Sequence, residues 1–406
     1  MDRVQNTTIS ATPPTGRLRS LDALRGFDMF WIVSGEFIFH GIASVIKQRH
    51  GLVQDTSNWQ IQTTEALSFT EKIFVGISNQ LHHTVWNGFT FYDLIFPLFI
   101  FIAGVSMPYS MGKQLEKAGH DKAAVRRKII RSLLKRTIIL LLLGMVANGA
   151  LQLKGYEHTR FASVLGRIAI SCFFAALITL YCSLKGQILW FAGLLLGYWA
   201  MLSWIPVPGF GAGVLTPEGN FAAYIDRQLL PGKLHRKVYD PEGLLSNIPA
   251  IASALLGVFA GTFLKNSTFV PPRKAGALAV TGVVLVVAGY AWGLFFPINK
   301  NMWTSSFTLY AGGWSMLLFA LFYYIIDVAG ISGWAAPFTW MGMNSILIYM
   351  AAHGLINFES TSTVLFGGII SKFPPEWYTA LLWTGVAVLQ FAGMYFLYKK
   401  KLFVKL

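Results

Sequence analysis

Apolar residues in this chain neither alternate nor keep to one helical face; they come in long runs separated by short polar segments. A helix rises about 1.5 Å per residue, so about 20 apolar residues cross the hydrocarbon of a bilayer. About ten stretches reach that length, near residues 22–46, 89–111, 129–152, 162–183, 187–205, 245–265, 274–296, 304–327, 338–357 and 378–398. Spanning barrel strands would show a two-residue alternation, which these runs lack. The pattern predicts an all-α, polytopic transmembrane helix bundle. Residues 1–17, with Pro13 and Pro14, have neither the apolar core nor the cleavage site of a signal peptide and read as a short polar tail. Residues 18–406 read as one transmembrane domain.

Composition agrees: 54% of residues are hydrophobic and 13% charged, against about a quarter charged in soluble domains. The formal charge of +15 suggests nucleic acid, but the basic residues lie in blocks between apolar runs, where they set topology instead. One block runs from Lys113 through Lys117, Lys122, Arg126, Arg127, Lys128, Arg131 and Lys135 to Arg136; another is Lys399, Lys400, Lys401 and Lys405. With about ten crossings, both termini and both blocks fall on one side, which the positive-inside rule makes cytoplasmic. The expected location is the cell membrane, the inner one in a Gram-negative cell. Cys172 and Cys182 share one apolar run and indicate packing, with neither a disulfide framework nor a metal site. No internal repeat is visible, which weighs against a transporter.

The loops on the opposite face carry most of the His and Trp. His82 and His83 stand just before the second apolar run, where a histidine can serve as a base or can merely anchor the helix at the headgroups. Asp93 lies past the start of that run and can orient His83, bind an amine or pair with an arginine. Asp22, Arg25 and Arg167 lie in or beside apolar segments, where a charge needs a partner or a wet cavity. Asp240-Pro241-Glu242-Gly243 and Asn299-Lys300-Asn301 sit at helix entrances, suited to turns and capping or to the hydroxyls and amine of a sugar. Asn344, Ser345 and His353 on one segment either bond a neighbouring helix or line a pocket.

Several motifs occur in a fixed order: Leu18-Arg19-Ser20-x-Asp22-x-x-Arg25-Gly26; His83-x-x-Trp86-Asn87-Gly88 with Asp93, Phe96-Pro97 and Gly104-x-Ser106; Val164-Leu165-x-Arg167; Pro206-Val207-Pro208-Gly209; Tyr224-Ile225-Asp226-Arg227; Tyr239-Asp240-Pro241-Glu242-Gly243; Pro297-x-Asn299-Lys300-Asn301-x-Trp303; and Gly342-Met343-Asn344-Ser345-Ile346-Leu347 with His353. In these the chain resembles the heparan-alpha-glucosaminide N-acetyltransferase family over nearly its whole length. The resemblance implies a membrane acetyltransferase using cytoplasmic acetyl-CoA as acetyl donor and a glucosamine-type amine on the opposite face as acceptor, with a homodimer as the assembly. It places catalysis on His83, with Asp93. The acceptor side then comprises Glu36, Trp86, Asn87, Asp240, Glu242, Asn299, Lys300, Trp303, Asn344, Ser345 and His353. The donor side comprises Arg25, Ser106, Arg126, Arg127, Arg131, Lys135, Arg136 and Arg167, cations suited to phosphates. Three departures stand out. The chain lacks the large luminal segment of the lysosomal relatives before the first motif. Its loop from Lys47 to Gln80 is longer. Ser34-Gly35-Glu36 replaces an asparagine-containing stretch. The alternative function is a membrane transporter or binding protein for a polar sugar, without acyl chemistry.

Overall fold

The computed structural model describes residues 18–55, 57–117 and 121–404. The tail 1–17 and Lys405, both invoked above, lie outside the described residues. The protein is an all-helical, polytopic bundle. Its helices are α1 (Arg19–His50), α2 (Phe69–Gln80), α3 (Phe91–Glu116), α4 (Lys122–Ala147), α5 (Val164–Tyr181), α6 (Leu184–Trp204), α7 (Phe221–Leu229), α8 (Asn247–Asn266), α9 (Pro271–Gly293), α10 (Ser305–Val328), α11 (Ala336–Met343), α12 (Ser345–Leu355), α13 (Phe358–Ile370) and α14 (Tyr378–Lys399).

Among the described residues, eight helices are long and apolar enough to cross a membrane: α1, α3, α5, α6, α8, α9, α10 and the stretch ending in α14. Two of the ten predicted spans differ from expectation. The run near 129–152 is a long helix, α4, that starts earlier at Lys122 and ends at Ala147; its first half carries Arg126, Arg127, Lys128, Arg131, Lys135 and Arg136 and is too charged to count as apolar. The run near 338–357 is not one helix. It breaks at Asn344, whose φ of −126° and ψ of 33° lie outside the helical basin, and the two pieces run in opposite senses. Gly26 lies against the carbonyl of Phe338 and Gly342 against that of Asp22, so α11 is antiparallel to α1.

Burial orders the bundle. In α3 and α8, 72% and 78% of the apolar stretch is buried, against 22% in α6 and α9; α3 and α8 form the centre and α6 and α9 the rim. The two central helices touch backbone to backbone. A Cβ on Gly104 would collide with the carbonyl of Ala254, one on Gly257 with that of Phe101, and one on Gly261 with that of Val105. Gly257 and Gly261 thus form a small-xxx-small seam of the kind that lets membrane helices approach closely.

Both ends of the described chain lie at one end of the bundle. The Asp327 carboxylate at the end of α10 accepts the N–H groups of Arg19 and Ser20 at 3.2 Å each, an anion on a helix N-terminus. Asn344 donates to the carbonyl of Leu402 and accepts from the N–H of Val404, both at 3.0 Å. At the other end stand the N-termini of α3, α5, α8 and α10, with the loops that join them. Their free N–H groups bias that end toward anions, and it is there that Asp93, Asp226, Asp240 and Glu242 collect.

Substituting Gly257→Ala overpacks the central seam and is expected to destabilise the bundle by about 1–3 kcal/mol. Gly276→Ala, at a position with open space around it, is expected to be neutral. Thermal unfolding of the purified variants in detergent separates the two, and equal midpoints refute the seam.

Candidate active site

The site is organised around Asp93, which is fully buried one turn into α3. Its Oδ2 accepts three donors from the loop that enters the helix, the Thr84 N–H at 3.3 Å and hydroxyl at 3.0 Å and the Thr90 N–H at 3.2 Å, while the Thr90 hydroxyl donates to the His82 carbonyl at 2.7 Å. Thr90 and Asp93 form the capping box of α3. Saturation of Oδ2 leaves Oδ1 for the site, where the His83 Nδ1–H donates to it at 2.8 Å. This fixes the tautomer and turns Nε2 outward. Half of the His83 side chain is exposed, against 1% of Asp93.

Lys300 completes the group. Its Nζ lies 3.0 Å from each His83 ring nitrogen and 3.7 Å from Asp93 Oδ1. It is presented by a turn in which Asn299 accepts the Met302 N–H at 2.9 Å and donates to Asn87 Oδ1 at 3.0 Å, while Ile298 accepts the Gly88 N–H at 2.9 Å. The loops carrying His83 and Lys300 are thereby locked together. Gly88 has φ of 118°, a conformation that only glycine adopts without strain. Burial, and then the charge of Lys300, hold the His83 imidazolium below its ordinary pKa despite Asp93. Burial likewise depresses Lys300, against the pull of Asp93 and Glu242. Near neutral pH, His83 is therefore the free base.

A second charged group faces the first. The Arg160 guanidinium donates to both Asp240 oxygens, at 2.9 and 2.6 Å, and to Glu242. Asp240 also accepts the N–H groups of His235 and Glu242; burial raises its pKa, but the bonds from Arg160 outweigh that and lower it. The Glu242 charge reaches both His83 and Lys300. Behind it, Arg167 is buried on the first turn of α5, donating to Ser246 and lying 4.8 Å from the Trp303 ring. Trp303 donates to Ser253 at 3.1 Å. Asp226 receives the Leu244 N–H at 2.8 Å and is pushed up to about 6 by burial.

The structure therefore brings together His83, Asp93, Asn87, Asn299, Lys300, Asp240 and Glu242. Glu36 joins them through Tyr92, whose hydroxyl pairs with it and whose ring packs 4.6 Å from that of His83. Trp86 ties loops together, donating to Leu215 at 2.8 Å and meeting Tyr239 edge-on. Trp303 and Arg167 form a buried back wall, so Arg167 sits with the acceptor-side candidates and not with the donor-side group in which it was expected. Ser345 lines a small apolar cavity beneath the site with Ile32, Phe96, Phe99 and Tyr349. His353 bonds the carbonyl of Tyr349 at 3.0 Å. Asn344 belongs to the opposite end, where its amide is used by Leu402 and Val404. At that end too, Arg25 donates to Ser106 at 3.2 Å and lies 3.7 Å from Asp22, and Arg25 and Arg136 both act on Cys172. Arg126 lies 5.6 Å from the Tyr181 ring, while Arg127, Arg131 and Lys135 are exposed.

Sequence reasoning missed Thr84, Thr90, Tyr92 and Arg160. Thr90-x-x-Asp93 carries a capping-box signature that was there to be read. Arg160 was discoverable only as the partner that Asp240 and Glu242 required.

No protein-family model matches the chain. Among curated proteins it is similar to the heparan-alpha-glucosaminide N-acetyltransferase of Mus musculus, 28% identical over 415 residues that cover 85% of this chain and 60% of that protein. It is similar also to the heparan-alpha-glucosaminide N-acetyltransferase of Homo sapiens, 30% identical over 382 residues that cover 80% of this chain and 55% of that protein. The chain thus spans somewhat over half the length of these relatives. The similarity to heparan-alpha-glucosaminide N-acetyltransferases extends over four fifths or more of this chain.

Proposed function

We propose that this protein is a membrane acetyltransferase that moves an acetyl group from cytoplasmic acetyl-CoA to the amine of a glucosamine-type sugar on the opposite face. The observation that carries the reading is the His83–Asp93 pair: a buried carboxylate, saturated on one oxygen, orients a half-exposed imidazole whose second nitrogen lies 3.0 Å from the Lys300 Nζ. That is the arrangement of a general base or of an activated nitrogen nucleophile. His83 takes the proton of the acceptor amine as nitrogen attacks the acetyl carbon. Lys300, 3.0 Å from the ring nitrogens, is placed to donate to the oxygen that gains charge in the tetrahedral intermediate. Asp240, Glu242 and Asn299 offer acceptors for sugar hydroxyls and for the ammonium form of the amine. The donor's phosphates belong with Arg25, Arg136 and the exposed cations of α4, at the end to which the positive-inside rule assigns the cytoplasm.

A transporter reading would draw on the broken helix at Asn344. That break is bonded to residues 402–404, and a carrier without acyl chemistry gives the oriented His83–Asp93 pair no role.

Three outcomes follow. In sealed vesicles of known orientation, acetyl-CoA on the face carrying Lys122 and glucosamine on the other are expected to yield N-acetylglucosamine; product formed only when both substrates share one compartment refutes transfer across the bundle. His83→Ala is expected to lower the rate about a hundredfold to ten-thousandfold, whereas His82→Ala, whose ring stacks on His40 at 4.0 Å, should retain most of it. The reverse order of effects would overturn the assignment. Because Lys300 depresses the His83 pKa, removing its charge raises that pKa and activity then fades at higher pH. The acid limb of the pH profile of kcat/KM should move upward in Lys300→Met, and a limb that stays or moves down contradicts this electrostatic role.

A further inference from the structure

Several of the buried polar atoms without a hydrogen-bond partner among the described residues lie on α1: Ser20 Oγ, both oxygens of Asp28, Trp31 Nε1 and Ser34 Oγ. Asp28 is the one among them that can ionise, and it is 0% exposed. An ionised, unpartnered carboxylate inside an apolar bundle costs several kcal/mol, a cost that a bound proton removes. The acetyl-transfer mechanism as drawn from His83 makes no use of this group.

Its position relative to the site is set by backbone geometry. From Asp28 to Glu36 is eight residues (36 − 28), which in a regular helix would leave the two carboxyls about 80° apart around the axis. The π turn at Trp31–Gly35 lies between them. Such a turn takes up about one extra residue, which brings the offset to about 20° and puts both carboxyls on one face. Tyr92 on α3 faces Asp28 and Glu36 together, and its ring packs on His83. The other ionisable groups facing this cluster are Tyr349 on α12 and Lys300, whose charge reaches Glu36. Ile32, one turn beyond Asp28 on the same face, lines the apolar cavity beneath the site with Tyr349, Phe96 and Phe99. Asp28 thus lies about two turns, roughly 10 Å along α1, to the interior of Glu36 and the His83 group.

We propose that Asp28 is held as a neutral carboxylic acid and is the internal proton donor of the reaction, giving its proton to the thiolate that leaves the acyl donor. The proposal rests on the acetyl-transfer reading. The chemistry requires such a group because the acceptor amine loses its proton at the loop face, whereas the thioester sulfur arrives from the other end and departs inside the bundle. The nitrogen lone pair forms the C–N bond, the C–S pair goes to sulfur, and the Asp28 proton goes to sulfur. The nitrogen proton goes to His83 and on to water at the loop face, and Asp28 regains a proton from water that follows the departing thiol. Amine and thioester become amide and thiol, with no proton gained or lost.

The test compares native protein with Asp28→Asn, a near-isosteric change that removes the acid. With acetyl-CoA and glucosamine the variant should be slowed about a hundredfold or more. With S-(4-nitrophenyl) thioacetate, whose thiolate leaves without needing a proton, it should run near the native rate. Equal loss with both donors marks a merely structural role and overturns the proposal, as does no loss with either. Asp28→Glu, which restores an acid, should recover part of the acetyl-CoA rate. Independently, the infrared difference spectrum of native minus Asp28→Asn protein at neutral pH should contain the carbonyl band of a protonated carboxyl; its absence overturns the proposal whatever the kinetics. Failure of the underlying reading shows differently, as native protein that transfers acetyl from neither donor while the infrared band is present.

Discussion

A carboxylate buried at the head of the central helix constrains everything around it. Asp93 is shielded from water on a helix that is itself the core of the bundle, and an unpaired charge there would cost several kcal/mol. Three donors from Thr84 and Thr90 satisfy one oxygen, and the positive end of the α3 dipole favours the charge. Reaching Asp93 from both Thr84 and Thr90 forces residues 84–90 to curl over the helix end. That curl projects His83 toward the loop face, and Gly88, with its positive φ, allows the return. The hydrogen bonds from Asn299 to Asn87 and from Gly88 to Ile298 then bring Lys300 to the imidazole. The site follows from satisfying one charge.

The same reasoning accounts for the uneven electrostatics of that face. Four helix N-termini converge there and admit carboxylates, but Asp240 and Glu242 are held by a single guanidinium, Arg160. Glu242 is shared, acting on His83, Lys300 and Arg167 as well as Arg160. A ligand ammonium entering beside Glu242 would compete with Lys300 for it, and would meet His83 as a neutral base. On the proposed reading, an acceptor amine would find a carboxylate that draws in its charged form and an imidazole that can take the proton away.

Much of this was legible in the sequence because its signals are local or compositional. Runs of apolar residues marked the helices, and the family resemblance carried by His83-x-x-Trp86-Asn87-Gly88 and Asp93 singled out the pair that the structure joins. What escaped depended on features with no local signature. The break at Asn344 follows from α11 running antiparallel to α1 against Gly26 and Gly342, a tertiary contact that apolar content cannot encode. The charged half of α4 met the length rule and failed the composition rule. Arg167 looked like a phosphate ligand by residue type, yet its place on the first turn of α5 puts it under the acceptor loops. Glu36 stood out as a departure from the relatives' asparagine-containing stretch, but its alignment with Asp28 requires a π turn that the sequence Trp31-Ile32-Val33-Ser34-Gly35 does not announce.

The two ends of the bundle pose a distance problem that the fold must solve. From Asp93 to Ser106 along α3 is thirteen residues (106 − 93), about 20 Å of helix. That length separates the His83 group from the Arg25–Ser106 pair near Arg136 and Cys172. On the proposed reading, a donor held by its phosphates at one end would have to thread a long arm past the α3 face to reach the other. The apolar cavity lined by Met29, Ile32, Phe96, Phe99, Ile346 and Tyr349 lies on that course, and at about 30 Å³ it has room for little more than one water. Opening it means moving side chains of α1 and α12 away from α3. These are the helices interrupted by the π turn and by the break at Asn344, whereas α3 and α8 are fastened by glycine contacts. The rigid pair fixes the site, and the interrupted pair is where the path to it can open.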